Sequence, residues 1–186
     1  PWISIVMCFY KNSHFIPSVF RSCIDNQYLI EQQLHIELIC IDDASNDDTL
    51  SKLNSTKQMY DSSPYAPFVN FRIFSFKENM GLLYGRHFAY SQATGSYIFA
   101  FDNDDELIPG ILAKIYALTK NRNDIEALSF LALEVYESDR IVNSTYEKKQ
   151  YPYKTHIYRD SPVRRKTNII LNAPFSIDKF SIISKN

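Results

Sequence analysis

The chain has 186 residues, of which 45% are hydrophobic and 22% charged, with a formal net charge of -1. That length is enough for one globular domain with a substantial core, and the near-neutral charge argues against a nucleic-acid partner. Only 4 residues are glycine, about 2% against a usual value of about 7%. Their spacing excludes the G-x-G-x-x-G turn and the G-x-x-x-x-G-K-[ST] loop, because both motifs need glycines where the backbone approaches a phosphate.

Apolar periodicity and turn residues predict strands alternating with helices. Asn46 or Asp47 is expected to cap the second helix, Gly95 to stop the third, and Pro109 to start the fourth. The last predicted strand, 127–136, is expected to pair with residues 141–142. The predicted order is strand 3–9, helix 14–26, strand 36–41, helix 50–60, strand 71–75, helix 81–94, strand 97–101, helix 109–118 and strand 127–136.

The three cysteines are expected to be buried reduced thiols rather than disulfides or metal ligands. Their number is odd, and Cys8 and Cys40 lie within apolar predicted strands while Cys23 lies on the apolar stripe of a helix. This favours a cytoplasmic protein. No apolar run approaches the ~20 residues that span a bilayer, and no signal peptide is recognisable. A chain beginning at Pro1 is expected to be a processed or shortened form.

The alternation predicts an α/β fold with a mostly parallel central sheet and helices on both faces. Ligands of such sheets bind at the carboxyl ends of the strands, where two acidic turns, 42–43 and 102–106, are predicted to lie. A divalent cation such as Mg²⁺ or Mn²⁺ would relieve the repulsion among the second group of acids. The alternatives are a solvated acidic turn for the second group and a helix N-cap for the first.

Five segments resemble, in order and spacing, the motifs of family 2 glycosyltransferases with the GT-A fold. The resemblance covers roughly the first 120 residues and implies a donor-binding region at 1–120. Residues 121–186 would then be the start of an acceptor-binding region, incomplete in this chain, within a single GT-A domain. The five segments are 3–10 (ISIVMCFY), 37–47 (ELICIDDASND), 79–81 (NMG), Arg86 and 93–105 (ATGSYIFAFDNDD).

The resemblance implies a nucleotide-sugar site that also holds Mn²⁺ or Mg²⁺. In it Tyr10 would flank the base and Asp42 would accept from the base imide N–H, while Asp104 and Asp105 would bind the metal. The alternative interpretation is that Tyr10 is only an aromatic residue at the sheet edge and Arg86 only a charged residue on a helix surface. The nucleotide-binding residues implied are Phe9, Tyr10, Asp42, Arg86, Asp102, Asn103 and Asp104.

This chain departs from the family pattern at two positions. Lys11 stands where the family usually has Asn, and Ala44 stands where it usually has Gly. Both departures lie beside residues implied in base contact. The details of that contact are therefore open, whereas the site itself is still implied by the other motifs.

The resemblance also implies an inverting hexosyl or N-acetylhexosaminyl transfer from a nucleoside diphosphate sugar, with UDP the expected carrier. The acceptor would be a hydroxyl of a saccharide or lipid-linked saccharide, in bacterial surface polysaccharide or glycoconjugate synthesis. Asp178 is a candidate catalytic base, although the family base usually lies further along a chain than residue 186; otherwise Asp178 is a loop residue. The alternatives are a nucleotide-sugar-binding module and a phosphohydrolase of the haloacid dehalogenase type. That type also uses a D-x-D motif but places it after the first strand, whereas the D-x-D of this chain, Asp102 and Asp104, follows the fourth predicted strand.

The segment 140–166 is the most basic part of the chain, with eight Lys or Arg residues against two acids. The part of it from 146 to 166 is predicted to be a loop. It would be solvated, or act as a lid that supplies cations to a diphosphate, or rest on anionic lipid. The last reading would make the protein peripheral at the inner face of the membrane.

Overall fold

The structure is a computed structural model. It describes residues 1–24, 27–107 and 109–121, and the backbone of three further strands at 127–129, 156–157 and 181–184. The strands are β1 Ile3–Phe9, β2 Ile36–Asp42, β3 Val69–Ser75, β4 Tyr97–Ala100, β5 Ala127–Ser129, β6 His156–Ile157 and β7 Ser181–Ser184. The helices are α1 Ile16–Ile24, which follows a 3-10 turn at Ser13–Phe15, α2 Gln27–Glu31, α3 Thr49–Asp61, α4 Leu82–Gln92 and α5 Ile111–Thr119.

The strands form one seven-stranded sheet in the order β3-β2-β1-β4-β7-β5-β6. The first four strands of that order are parallel, and β7, β5 and β6 are joined to them by antiparallel pairing. This confirms the predicted α/β class with a mostly parallel sheet. The prediction of a loop for residues 146–166 is wrong at β6, because backbone pairing with β5 gives His156 and Ile157 strand structure.

The central strands are buried on both faces, as their largely apolar sequences predict. On one face, β1, β2 and β4 pack against α1, α3 and α5 around Phe9, Phe20 and Phe99. On the other face, they pack against α4 through a smaller cluster that includes Ile41 and Ala89. Burial of a side chain of this size contributes about 1.5–3 kcal/mol, so the two clusters fix α4 and α5 firmly against the sheet.

Three predicted helix boundaries are wrong. The N-cap of α3 is Asp48, although the Asp47 carboxylate accepts the Thr49 N–H at 3.0 Å. Helix α5 begins after Gly110, whose φ of +79° gives the turn that Pro109 was expected to supply. Helix α4 already ends at Gln92, so Gly95 does not stop it.

Gly95 is required for close packing instead. A Cβ on this residue would lie 2.6 Å from the backbone nitrogen of Ser4, in strand β1. Real side chains do not approach backbone that closely, so only glycine allows the segment before β4 to reach β1. The glycine therefore sets the distance between these two strands at their amino ends.

A buried ionic cluster at the same end of the sheet ties α4 and β4 to the first three strands. The Glu37 carboxylate accepts from the Ser4 hydroxyl at 2.6 Å, from the Thr94 N–H at 2.8 Å and from Arg72 at 3.0 Å. Arg72 also donates to the last helical carbonyl of α4, on Gln92, at 2.9 Å. These hydrogen bonds outweigh the cost of burying the carboxylate and lower the pKa of Glu37.

The three cysteines are free, as predicted. Burial raises the pKa of the Cys8 and Cys23 thiols to about 12, so both are protonated and unreactive at neutral pH. Within the described residues, the structure contains no helix with the length and hydropathy of a membrane span.

Candidate active site

The carboxyl ends of three neighbouring strands bring the predicted site residues to one edge of the sheet. In the strand register Phe9 lies opposite Asp42, and Asp42 lies opposite Ser75. Strand β4 pairs with β1 up to Ala100, and the Phe101 N–H donates to the Val6 carbonyl at 2.9 Å. The segments after β1, β2 and β4 therefore leave the sheet side by side.

The segment after β4 contains the acidic cluster Asp102, Asp104 and Asp105. One carboxylate oxygen from each of these residues lies within 4.8 Å of the others. Opposite ligands of an octahedral Mg²⁺ at about 2.1 Å stand about 4.2 Å apart, so small side-chain rotations would bring these oxygens to one ion. The hard oxygen donors fit the Mg²⁺ or Mn²⁺ that the sequence implies.

Arg86 of α4 reaches the same cluster. Its Nη2 lies 2.5 Å from Asp102 Oδ1, and the two side chains are 14% and 16% exposed. A pair this far removed from water is screened much less than a surface pair. Arg86 thus offsets part of the negative charge of the cluster and orients Asp102, a contact that the motif spacing alone does not reveal.

Asn103 has both ends of its side chain engaged within the protein. Its Nδ2 donates to the Cys8 carbonyl at 2.5 Å, and its Oδ1 accepts from Asn12 Nδ2 at 3.0 Å. The residue is buried. It joins the segment after β4 to the segment after β1, and a role in nucleotide binding stays a prediction.

Tyr10 and Phe9 have different surroundings although they are adjacent. The Tyr10 side chain is 44% exposed at the site edge, and the Lys11 ammonium lies 4.9 Å from the centre of its ring. The Phe9 side chain is buried in the core, where it stacks on Phe20 with ring centres 6.1 Å apart. Any contact of Phe9 with a nucleotide would therefore involve its backbone.

The carboxylates of Asp42 and Asp43 are both buried and hydrogen-bonded. Asp42 accepts from the Ser75 hydroxyl at 3.0 Å and from the Ser45 N–H at 3.3 Å. Asp43 accepts from the backbone N–H groups of Met80 and Gly81 at 2.7 and 2.9 Å. The sequence pattern gives no sign of this second role, by which Asp43 fixes the turn that begins α4.

The close approach of α4 to β1 brings Arg86 to the edge. A Cβ at Gly85 would lie 3.0 Å from the Cys8 sulfur, so a larger residue there would push the helix outward. Burial raises the pKa of Cys8, and the positive charge of Arg86 opposes that rise. Cys8 is thus an inert thiol that packs below the site.

The two departures from the family pattern occupy left-handed backbone. Lys11 and Ala44 both have a φ of +57°. Asn and Gly, the residues usual at these positions, are the two that adopt this conformation most readily. The Lys11 N–H donates to the Ser45 hydroxyl at 3.1 Å and so connects the two turns. Lys11 and Ala44 therefore adopt a left-handed backbone conformation that is strained for their residue types.

Asp178 and residues 141–142 lie outside the described residues. Strand β7 begins three residues after Asp178 and runs antiparallel to β4, with Ile182 opposite Phe99. The amino end of β7 is therefore at the edge of the sheet that carries the acidic cluster.

Comparison with known proteins identifies the family. The model of Glycosyl transferase family 2 matches residues 4–186, and the chain belongs to that family. This confirms the resemblance seen in the sequence.

Two curated relatives are glycosyltransferases by name. One is an uncharacterized glycosyltransferase of Haemophilus influenzae, 26% identical over 148 residues, which are 79% of this chain and 42% of the relative. The other is a cholesterol galactosyltransferase of Borreliella burgdorferi, 30% identical over 138 residues, which are 72% of this chain and 35% of the relative. The chain therefore spans less than half the length of either relative.

Two solved structures share the fold. The mannosyltransferase PcManGT of Pyrobaculum calidifontis, in complex with GDP-Man and Mn²⁺, matches with a TM-score of 0.58 and 18% identity, covering 72% of this chain and 36% of that one. S. aureus TarS 1–349, in complex with UDP-GlcNAc, matches with a TM-score of 0.56 and 20% identity, covering 68% and 33%. Both confirm the GT-A fold.

Proposed function

We propose that this protein belongs to the metal-dependent inverting glycosyltransferases and uses a UDP-sugar as donor. The observation that carries the proposal is the convergence, at one sheet edge, of the acidic cluster, its partner Arg86 and the exposed ring of Tyr10. An aromatic face suits a nucleobase, and acids that can share a cation suit a diphosphate. The complexes of the two solved relatives, with UDP-GlcNAc and with GDP-Man and Mn²⁺, support a site of this kind.

Each residue has a proposed task. Tyr10 flanks the base, and Asp42 accepts from the base imide N–H after giving up its hydrogen bond to Ser45. Asp104 and Asp105 hold Mn²⁺ or Mg²⁺, and Asp102 is kept in place by Arg86. A bound cation at this position would neutralise charge that develops on the departing diphosphate.

The acceptor is proposed to be a hydroxyl of a saccharide or lipid-linked saccharide in bacterial surface glycoconjugate synthesis. A carboxylate must take the proton from that hydroxyl, and Asp178 is proposed for this step. The start of β7 at the site edge supports this assignment. We place the reaction in the cytoplasm, where the three free thiols would stay reduced, with contact at the inner membrane face.

The site is tested with the variant Asp104→Ala. Asp104 is exposed, so its replacement should leave the fold intact. We expect UDP with Mn²⁺ to raise the Tm of the wild-type chain and the variant to lose this effect, while the exposed control Glu78→Gln keeps it. Unchanged UDP affinity of Asp104→Ala by calorimetry would contradict the proposed site.

Donor turnover separates the proposed activity from its alternatives. Transfer to an acceptor, or slow hydrolysis of the UDP-sugar, is expected of a transferase and not of a binding module. Stabilisation by phosphate mimics without nucleotide would favour a phosphohydrolase. The acidic cluster follows β4, the fourth strand in chain order, whereas the phosphohydrolase motif follows the first strand. This difference argues against that class.

A further inference from the structure

Lys11 is held at the edge of the site by contacts on both sides. Its own N–H donates to the Ser45 hydroxyl after β2, and the side chain of the next residue, Asn12, donates to Asn103 in the acidic segment. The intervening backbone has a φ of +57° at Lys11. The origin of the lysine side chain is thus fixed between the two acidic turns, although its ammonium is exposed.

The ammonium lies against the aromatic ring proposed to flank the base. Its distance from the Tyr10 ring centre, 4.9 Å, is that of a cation–π contact. At an exposed site such a contact contributes only about 0.5–1 kcal/mol, so a better partner can displace it. A base beside Tyr10 would lie within reach of the flexible four-carbon side chain.

The chemistry of the ammonium limits which bases it can bind. Lysine offers three N–H donors and no acceptor. Uracil O4 and guanine O6 are carbonyl oxygens that accept from it, whereas cytosine and adenine carry an amino group at the corresponding position, N4 or N6. An amino group facing the ammonium would leave two donors opposed and unpaired, which lowers affinity.

We propose that Lys11 is a specificity-determining residue of the donor site, where its ammonium donates to O4 of uracil, the position that carries an amino group in cytosine, and so favours uracil over cytosine. The inference rests on the proposed function, because it takes the base to lie beside Tyr10. It gives the lysine that replaces the usual asparagine a role in donor choice.

The test compares binding of UDP, CDP and uridine, each with Mn²⁺, by calorimetry. The variant is Lys11→Asn, which removes the ammonium and suits the left-handed backbone. Lys77→Asn is the control, because Lys77 is also an exposed lysine but follows β3, the outer strand that β2 separates from β1. We expect Lys11→Asn to weaken UDP and uridine roughly tenfold, the effect of one hydrogen bond to a charged group, and CDP by less than about twofold.

Several outcomes would overturn the inference. Equal losses for UDP and CDP, with uridine unaffected, would show that Lys11 acts on the diphosphate. Unchanged affinities would show that it is a solvated charge, and an equal loss in Lys77→Asn would show a long-range effect of charge. Failure of the wild-type chain to bind any of the three probes would reject the proposed function and the inference together. Tight binding of UDP by the wild-type chain, with unchanged affinity in Lys11→Asn, would reject the inference alone.

Discussion

Replacement of Ala44 by glycine should stabilise the protein although it removes a methyl group. Ala44 has a φ of +57° in the turn after β2, a conformation that costs an L-residue about 1–2 kcal/mol and costs glycine almost nothing. Against this, glycine gives the unfolded chain more freedom, by about 0.5–1 kcal/mol. The net expectation is a gain of about 0.5–1 kcal/mol in the free energy of unfolding.

The gain is measured by chemical denaturation and by Tm. For a domain of this size, 1 kcal/mol corresponds to about 2–4 °C, so Ala44→Gly should raise the Tm by roughly 1–4 °C. Ala117→Gly is the matched control, because Ala117 is exposed in the right-handed backbone of α5 and the same change there should cost about 1 kcal/mol. A loss of stability in Ala44→Gly as large as in the control would refute the strain argument.

Two further predictions concern the opposite end of the sheet. Gly95→Ala should destabilise the chain by about 3 kcal/mol or more, since its Cβ would meet the Ser4 backbone at 2.6 Å; a Tm within about 1 °C of wild type would exclude that packing. Glu37 has a pKa below its ordinary value of 4.5, so its contribution to stability is complete above that pH and is lost as the pH falls through the lowered pKa. Glu37→Gln should therefore be less stable than wild type at pH 7, with a difference that shrinks on acidification; a difference independent of pH in denaturant titrations would contradict the assignment.

The sequence alone predicted the order of strands and helices as far as α5, except for the short helix α2, because its signals are local. Ile3–Phe9 and Ile36–Asp42 are largely apolar segments followed by polar turns, and such a pattern requires no knowledge of distant residues. The motifs also indicated which residues meet at the site edge, because parallel strands place their carboxyl ends together. The position of the acidic cluster follows from that rule, whereas the ion pair of Arg86 with Asp102 does not, because Arg86 lies on helix α4.

Only the tertiary structure decided which partner each polar group takes. Asp43 binds the turn before α4 and Asn103 binds the Cys8 carbonyl within β1, over separations of 37 and 95 residues. The same holds for Glu37 of β2, whose partners come from two other strands and a loop, and for Gly95, whose need for glycine arises from strand packing. Hydrogen bonds and close contacts between distant segments leave no local pattern, so they become visible only when the chain has folded.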